Sequence, residues 1–218
     1  MVTLKGPKPA MQRRDVPEDK IRAIASTARH LSDYWGSFKP SSRQLAPEVV
    51  YDTSMFFSLK NPSPALREAL KGKRLVDIGA GKSTSFLSMA HLAAILGASE
   101  YVAVDKYVDY TNAEEIMEKV INSKFPDIVL RAINEDMLEF LLFQPDQSAN
   151  ICMNSVDESI LASNIRFATE IYMSDIAQEL MRVVPKDGVA FGLNSPALDM
   201  LPDFGFTPVV NGLFKKEW

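Results

Sequence analysis

Apolar residues in the last two-thirds of the chain gather into short runs separated by amphipathic stretches. Leu75 to Ile78, Tyr101 to Val104, Ile128 to Asn134, Ala149 to Val156 and Val189 to Gly192 have the length and β-branched content of strands covered on both faces. Between the last two, Ile171, Ile176, Leu180 and Val183 fall near helical spacing over Ile171 to Val184, and Pro185-Lys186-Asp187-Gly188 stops that helix. Phe206 to Val210 and Leu213 to Trp218, joined by Asn211-Gly212, read as a hairpin. Strands alternating with helices predict an α/β chain built on one doubly wound sheet.

The first third reads differently. Lys5, Lys8, Arg13 and Arg14 stand among prolines and small residues, so the first 14 residues are expected to be a solvated basic tail. From Pro17 onward Ile21, Ile24, Ala28, Leu31 and Trp35 recur at helical spacing, which predicts an amphipathic helix. Gly36 and Pro40 interrupt it, and a Ser/Pro-containing segment leads through Tyr51 to Phe56-Phe57. A short helix, Pro64 to Leu70, begins after Ser63 as N-cap and ends at Gly72. The organisation expected is a tail and helical extension over residues 1–72, then an α/β domain over 73–218.

Candidate chemistry concentrates after the first strand of that domain. Arg74-Leu75-Val76-Asp77-Ile78-Gly79-Ala80-Gly81-Lys82-Ser83-Thr84 is a buried strand, a glycine turn and a helix start, and the next strand ends in Asp105. Glycines let the backbone pass close to a ligand, and a carboxylate at Asp105 suits the two hydroxyls of a ribose. A phosphate-binding loop would need a glycine where Val76 stands. A dinucleotide fingerprint would need its third glycine where Thr84 stands, which weakens NAD as the ligand.

From about Arg74 onward the chain resembles the class I S-adenosylmethionine-dependent methyltransferases, with Asp77, Gly79 and Gly81 matching their first motif and Ser83 departing from a glycine often found there. The resemblance implies a Rossmann-like doubly wound sheet, mostly parallel with an antiparallel C-terminal strand, preceded here by an N-terminal helical extension. It implies S-adenosylmethionine as cofactor. Asp77 and the amides around Gly79, Ala80 and Gly81 would hold the methionine end, Asp105 the ribose, and Asp136 with Met137 the adenine, with Lys106 a further cofactor-binding candidate. Asn154, near the end of the fourth run, is a further cofactor-binding candidate, and the segment just beyond that strand is where the family faces the methyl group and substrate. Each carboxylate also has a plain structural reading. Asp77 could cap the turn, Asp105 could be a solvated strand end, and Asp136 could be the N-cap of a helix beginning at Met137.

The resemblance further implies that the N-terminal region shapes the substrate pocket, for which it offers His30, Tyr34, Trp35, Tyr51, Phe56 and Phe57. Asp157 and Glu158, after the fourth strand, are candidates to orient or deprotonate an acceptor, with Tyr34 and His30 beside them if the extension closes over the site. His91 is expected to be structural. Asn154-Ser155-Val156-Asp157 lacks the Asn/Asp-Pro-Pro-aromatic motif of base-amine and protein-amine methylation, and Leu193-Asn194-Ser195 lacks the acidic pair of metal-dependent relatives, so no metal is expected. The methyl acceptor is thus expected to be an oxygen or nitrogen nucleophile of a small molecule. An NAD(P)-dependent oxidoreductase and a non-catalytic methyltransferase-like binding domain are the alternatives.

Composition narrows the classes further. The 218 residues, 46% hydrophobic, suffice for one α/β core. A formal charge of −4 gives no general attraction to nucleic acid or anionic membrane, so neither is expected as a partner. The single cysteine, Cys152, lies within an apolar strand and is read as a small core side chain rather than a nucleophile. No run approaches the roughly 20 apolar residues of a membrane span and no signal-peptide core is evident, so the cytoplasm is the expected location.

Overall fold

The four residues after Arg74 in β1 (Arg74–Ile78) are all buried, as in a strand sandwiched between two helical layers. The computed structural model describes residues 8, 10–22, 64–81, 83–106, 110–153, 166–192, 195–210 and 212–218. β1 lies within a seven-stranded sheet of order β3-β2-β1-β4-β5-β7-β6. Beside it run β2 (Glu100–Val104), β3 (Val129–Ile133), β4 (Asn150–Cys152) and β5 (Val189–Phe191), all parallel, with Asp77 aligned to Ala103 on one side and Cys152 on the other. The hairpin β6 (Phe206–Val210) and β7 (Leu213–Lys216) completes the sheet, and β7 runs antiparallel between β5 and β6. The fold is Rossmann-like α/β with an antiparallel C-terminal strand.

Alternation along the strands sorts side chains into two cores. Val76, Ile78, Val102 and Val104 face α4 (Met137–Phe143), α5 (Arg166–Val183) and α6 (Pro196–Asp199). Leu75, Tyr101 and Ala103 face α1 (Pro64–Leu70), α2 (Ser83–Ile95) and α3 (Ala113–Ile121). The helix following β1 and the helix following β4 therefore lie on opposite faces, which opens a crevice at the carboxyl ends of those neighbouring strands, where open α/β sheets bind ligands.

Three expectations change in detail. The fourth strand is confined to Asn150–Cys152, and residues 154–156 lie outside the described residues. The helix expected from Ile171 begins at Arg166, five residues earlier. The solvated basic tail is a larger correction, since Lys8 and residues 10–14 dock on the domain. Lys8 Nζ bridges Glu114 at 2.6 Å and Glu118 at 2.9 Å, and donates to the Leu130 carbonyl. Arg13 pairs with Glu135, and the Arg14 amide and guanidinium bond the Phe143 and Leu142 carbonyls at the end of α4. Met11, Val16 and Ile21 pack on the core between these charges. The pairing partners lie far away in sequence, so no local pattern reveals them.

The same arm protects an edge. Leu130 and Ala132 turn their backbone groups outward from β3, the strand ending one side of the sheet. Lys8 Nζ donates to the Leu130 carbonyl while Glu114 Oε1 accepts from the Ala132 amide. An exposed edge that could template pairing with another chain is thereby occupied by side chains. Residues 18–22 continue the arm as a helical turn, and Lys20 reaches Glu179 at 2.7 Å. The rest of the helix expected to Trp35 lies outside the described residues. Among the described residues no helix is long and apolar enough to cross a membrane.

Arg182 ties these parts together. Its guanidinium donates to the Leu141 and Gln144 carbonyls, where α4 ends, and to Glu179, which is 5% exposed. Arg182→Ala strands the last carbonyls of α4 and removes one counter-ion of a buried carboxylate. The expected loss is about 3 kcal/mol, read as a lower urea midpoint with an unchanged denaturant slope.

Candidate functional site

Beyond Ile78 the chain leaves the sheet through a turn whose two glycines, Gly79 and Gly81, both adopt φ +69°, a left-handed conformation that disfavours any side chain. The amides of Gly79 and Ala80 both donate to the Val104 carbonyl at 2.9 and 3.1 Å, which fastens the turn to the end of β2. The next residue of β2's exit is Asp105, and its Oδ2 accepts from the Gly81 amide at 3.1 Å. Asp105 is therefore half-buried and turned toward the glycines rather than a solvated strand end. Its own backbone is held by β3, the amide by the Ile133 carbonyl and the carbonyl by Asn134 Nδ2.

Asp77 lies beneath this turn with 3% exposure. Its Oδ2 accepts from the Tyr101 hydroxyl at 2.8 Å, and the Cys152 thiol adjoins it across β4. Burial pushes its carboxyl up to about 7, against the opposing pull of the Tyr101 and Cys152 hydrogen bonds, and the nearby Asp105 raises it further. Burial and the Asp77 charge push the Tyr101 hydroxyl and the Cys152 thiol up in turn, so both stay protonated donors. A fully buried, protonated thiol is a poor nucleophile, which fits the reading of Cys152 as a core residue.

At the end of β3, Asp136 is the N-cap of α4. Its Oδ1 accepts from the Leu138 and Glu139 amides at 3.0 and 3.3 Å and from the Tyr172 hydroxyl at 2.8 Å. The capping role considered from sequence is the one its Oδ1 performs. Oδ2 faces the Lys106 ammonium at 3.7 Å, and Met137 packs beside it on the core. Glu135 pairs with Arg13, yet burial, with Glu139 and Asp136 nearby, leaves its carboxyl raised. The carboxyl ends of β1, β2 and β3 thus bring Asp77, Gly79, Ala80, Gly81, Asp105, Lys106, Asp136 and Met137 to one edge of the sheet.

Asn154, Asp157, Glu158, His30, Tyr34, Trp35, Tyr51, Phe56 and Phe57 lie outside the described residues. His91 stacks edge-on against Phe125, with ring centroids 5.8 Å apart, away from this edge. Among the described residues no three His, Cys, Asp or Glu side chains converge into a cation site. Sequence reasoning missed Tyr110 and Asn134, which join Gly81 and Asp105 by hydrogen bonds. The available signal was a polar residue closing an apolar parallel strand next to a carboxylate-ended one.

Asp77 sets a pH-dependence with a definite sign. Its folded value near 7 lies above the ordinary 3.8, so between those limits the folded state binds more protons than the unfolded one. The stability contributed by protonated Asp77 is therefore lost as pH rises from about 4 to about 7. Asp77→Asn, which can still accept from Tyr101, should gain on the wild type by about 3 kcal/mol between pH 5 and pH 8, measured by urea unfolding at both.

No protein-family model and no curated protein matches the chain. Solved structures resemble it at low identity. A crystal structure of PaaA is 13% identical with TM-score 0.36, over 82% of this chain and 57% of that one. The candidate methyltransferase YhhF of Escherichia coli is 12% identical with TM-score 0.42, over 82% and 89%. Escherichia coli MccB with succinimide is 12% identical with TM-score 0.37, over 81% and 53%. The chain thus spans little more than half the length of the PaaA and MccB structures. Likeness at this level assigns no activity.

Proposed function

We propose that this chain is an S-adenosylmethionine-dependent methyltransferase acting on an oxygen or nitrogen nucleophile of a small molecule. The observation that carries the reading is the direct bond between the two halves of the motif, Gly81 N–H to Asp105 Oδ2, at the carboxyl ends of β1 and β2. The glycine turn brings backbone amides to the crevice. A carboxylate offers about four lone-pair sites, so Asp105 can hold Gly81 and still accept from a ribose diol. A neutral or cationic adenosyl ligand suits an edge carrying Asp77, Asp105 and Asp136 better than a pyrophosphate does. The sheet also departs from the dinucleotide order, in which a parallel sixth strand follows the fifth, by inserting antiparallel β7 there. With Thr84 in place of the third fingerprint glycine, this favours the methyltransferase reading over an NAD(P)-dependent oxidoreductase.

In this reading the turn amides of Gly79 to Gly81 hold the methionine end, above buried Asp77, and Asp105 binds the ribose. Lys106, Met137 and Asp136 would hold the adenine, with Asp136 Oδ2 the oxygen left to accept from its amine, because Oδ1 is committed to the α4 cap and Tyr172. When bound, the sulfonium cofactor supplies an activated methyl group, so the protein's task is to hold the acceptor in line behind it and exclude water. We assign that task to Asp157, which follows β4 in the sequence, and to His30 and Tyr34 of the extension.

Calorimetric titration tests the cofactor. S-adenosylhomocysteine is expected to bind while NAD, NADP and ATP do not. Asp105→Ala should weaken that binding by about 1.5 to 3 kcal/mol, roughly 10- to 150-fold, with the melting temperature little changed. Binding of NAD instead, or equal affinity of wild type and Asp105→Ala, would overturn the reading.

A further inference from the structure

Four hydrogen bonds close a ring around the candidate ribose carboxylate. Gly81 N–H donates to Asp105 Oδ2 at 3.1 Å, and the Tyr110 hydroxyl donates to the Gly81 carbonyl at 3.1 Å. Tyr110 N–H donates to Asn134 Oδ1 at 3.4 Å, and Asn134 Nδ2 returns to the Asp105 carbonyl at 3.3 Å. The members come from the turn after β1, the ends of β2 and β3, and the entry to α3. Gly81 is thereby held at both its backbone groups by side chains, and Asp105 is held at both its carboxylate and its carbonyl.

The ring is anchored independently of any ligand. Tyr110 is 6% exposed, stacks edge-on against Phe86 of α2 at 5.5 Å between centroids, and its carbonyl accepts the first amide of α3, Ala113. Burial and the carboxylates of Asp105 and Asp77 push its hydroxyl far up, so it keeps the proton that it donates to the Gly81 carbonyl. Two of the bonds are long and individually weak. In a closed circuit, however, breaking any one frees the groups on either side to rotate, and the carboxylate loses its fixed direction. The turn's second glycine and the carboxylate opposite are the groups that must not move if a ribose is to meet both its acceptors at once.

We propose that Tyr110 and Asn134 are positioning residues that hold Asp105 and the Gly81 backbone in the orientation that receives a ribose diol. The inference rests on the adenosyl-site reading given above. Neither residue touches the ligand; each acts through Asp105 or Gly81.

Two readouts on Tyr110→Phe and Asn134→Ala separate this from a merely structural role. The first, amide hydrogen exchange at Gly81, needs no ligand. Exchange should quicken by about tenfold, the worth of one ordinary hydrogen bond, while amides in β5 and β7 keep wild-type protection. The second compares S-adenosylhomocysteine with its 2′-deoxy analogue by calorimetry. The wild type should prefer the full ribose, and both variants should lose most of that preference, with weaker binding of S-adenosylhomocysteine and little change for the analogue. Unchanged Gly81 exchange in both variants, or equal losses for the two ligands, would overturn the positioning role. Failure of the wild type to bind either ligand would overturn the adenosyl-site reading on which the role depends, whatever the exchange result.

Discussion

The carbonyl of Val104 accepts two amides, from Gly79 and Ala80, and that shared acceptor fixes where the chain leaves β1. A strand could extend β1 by pairing with the residues after Val104. Instead, two consecutive amides converge on one oxygen, which needs a backbone that turns back on itself. Glycine at 79 and 81 permits this at φ +69°. The next backbone step of β2 is Asp105, so the residue that follows the anchoring carbonyl is also the one whose carboxylate takes the Gly81 amide. The turn, the start of α2 and the direction of Asp105 are consequences of one junction between neighbouring parallel strands.

The sheet supplies a rigid floor for this junction at an electrostatic cost. Asp77 occupies a position where the alternation of β1 demands a core residue, facing the same layer as Leu75 and Tyr101. Tyr101 and Cys152 offset part of the desolvation by donating to it, and the rest appears as the raised carboxyl. A residue that lowers stability above neutral pH and sits directly under the turn is the pattern expected where a site is maintained at the expense of the fold. On the opposite side of the sheet the charges are arranged differently. Arg14, Lys20 and Arg182 converge on Glu179, and the arm that carries the first two also covers the β3 edge through Lys8. These pairs lock a segment of little apolar content onto the domain.

Much of this was legible in the sequence. The strand β1, the glycine turn and Asp105 follow from a buried run, two glycines and a carboxylate in the right order. The hairpin followed from Asn211-Gly212 between two apolar runs, and the helix cap at Asp136 from a carboxylate just before a helix. What escaped shares a physical cause. The docking of Lys8, Arg13 and Arg14, the Tyr101 hydroxyl on Asp77 and the ring through Tyr110 and Asn134 are polar contacts between residues remote in sequence. Hydrophobic periodicity says which face a residue takes, but not which distant polar group shares that face.

The central claim is that an adenosyl ligand binds where β1, β2 and β3 end. Backbone amide shifts, followed by heteronuclear NMR as S-adenosylhomocysteine is added, test it most directly. The account predicts that the largest changes fall at Gly79, Ala80, Gly81, Asp105, Lys106 and Met137, with little at Arg74, Glu100 and Val129 at the other end of the same strands. Saturable changes centred on that other end, or none at any ligand concentration, would contradict it.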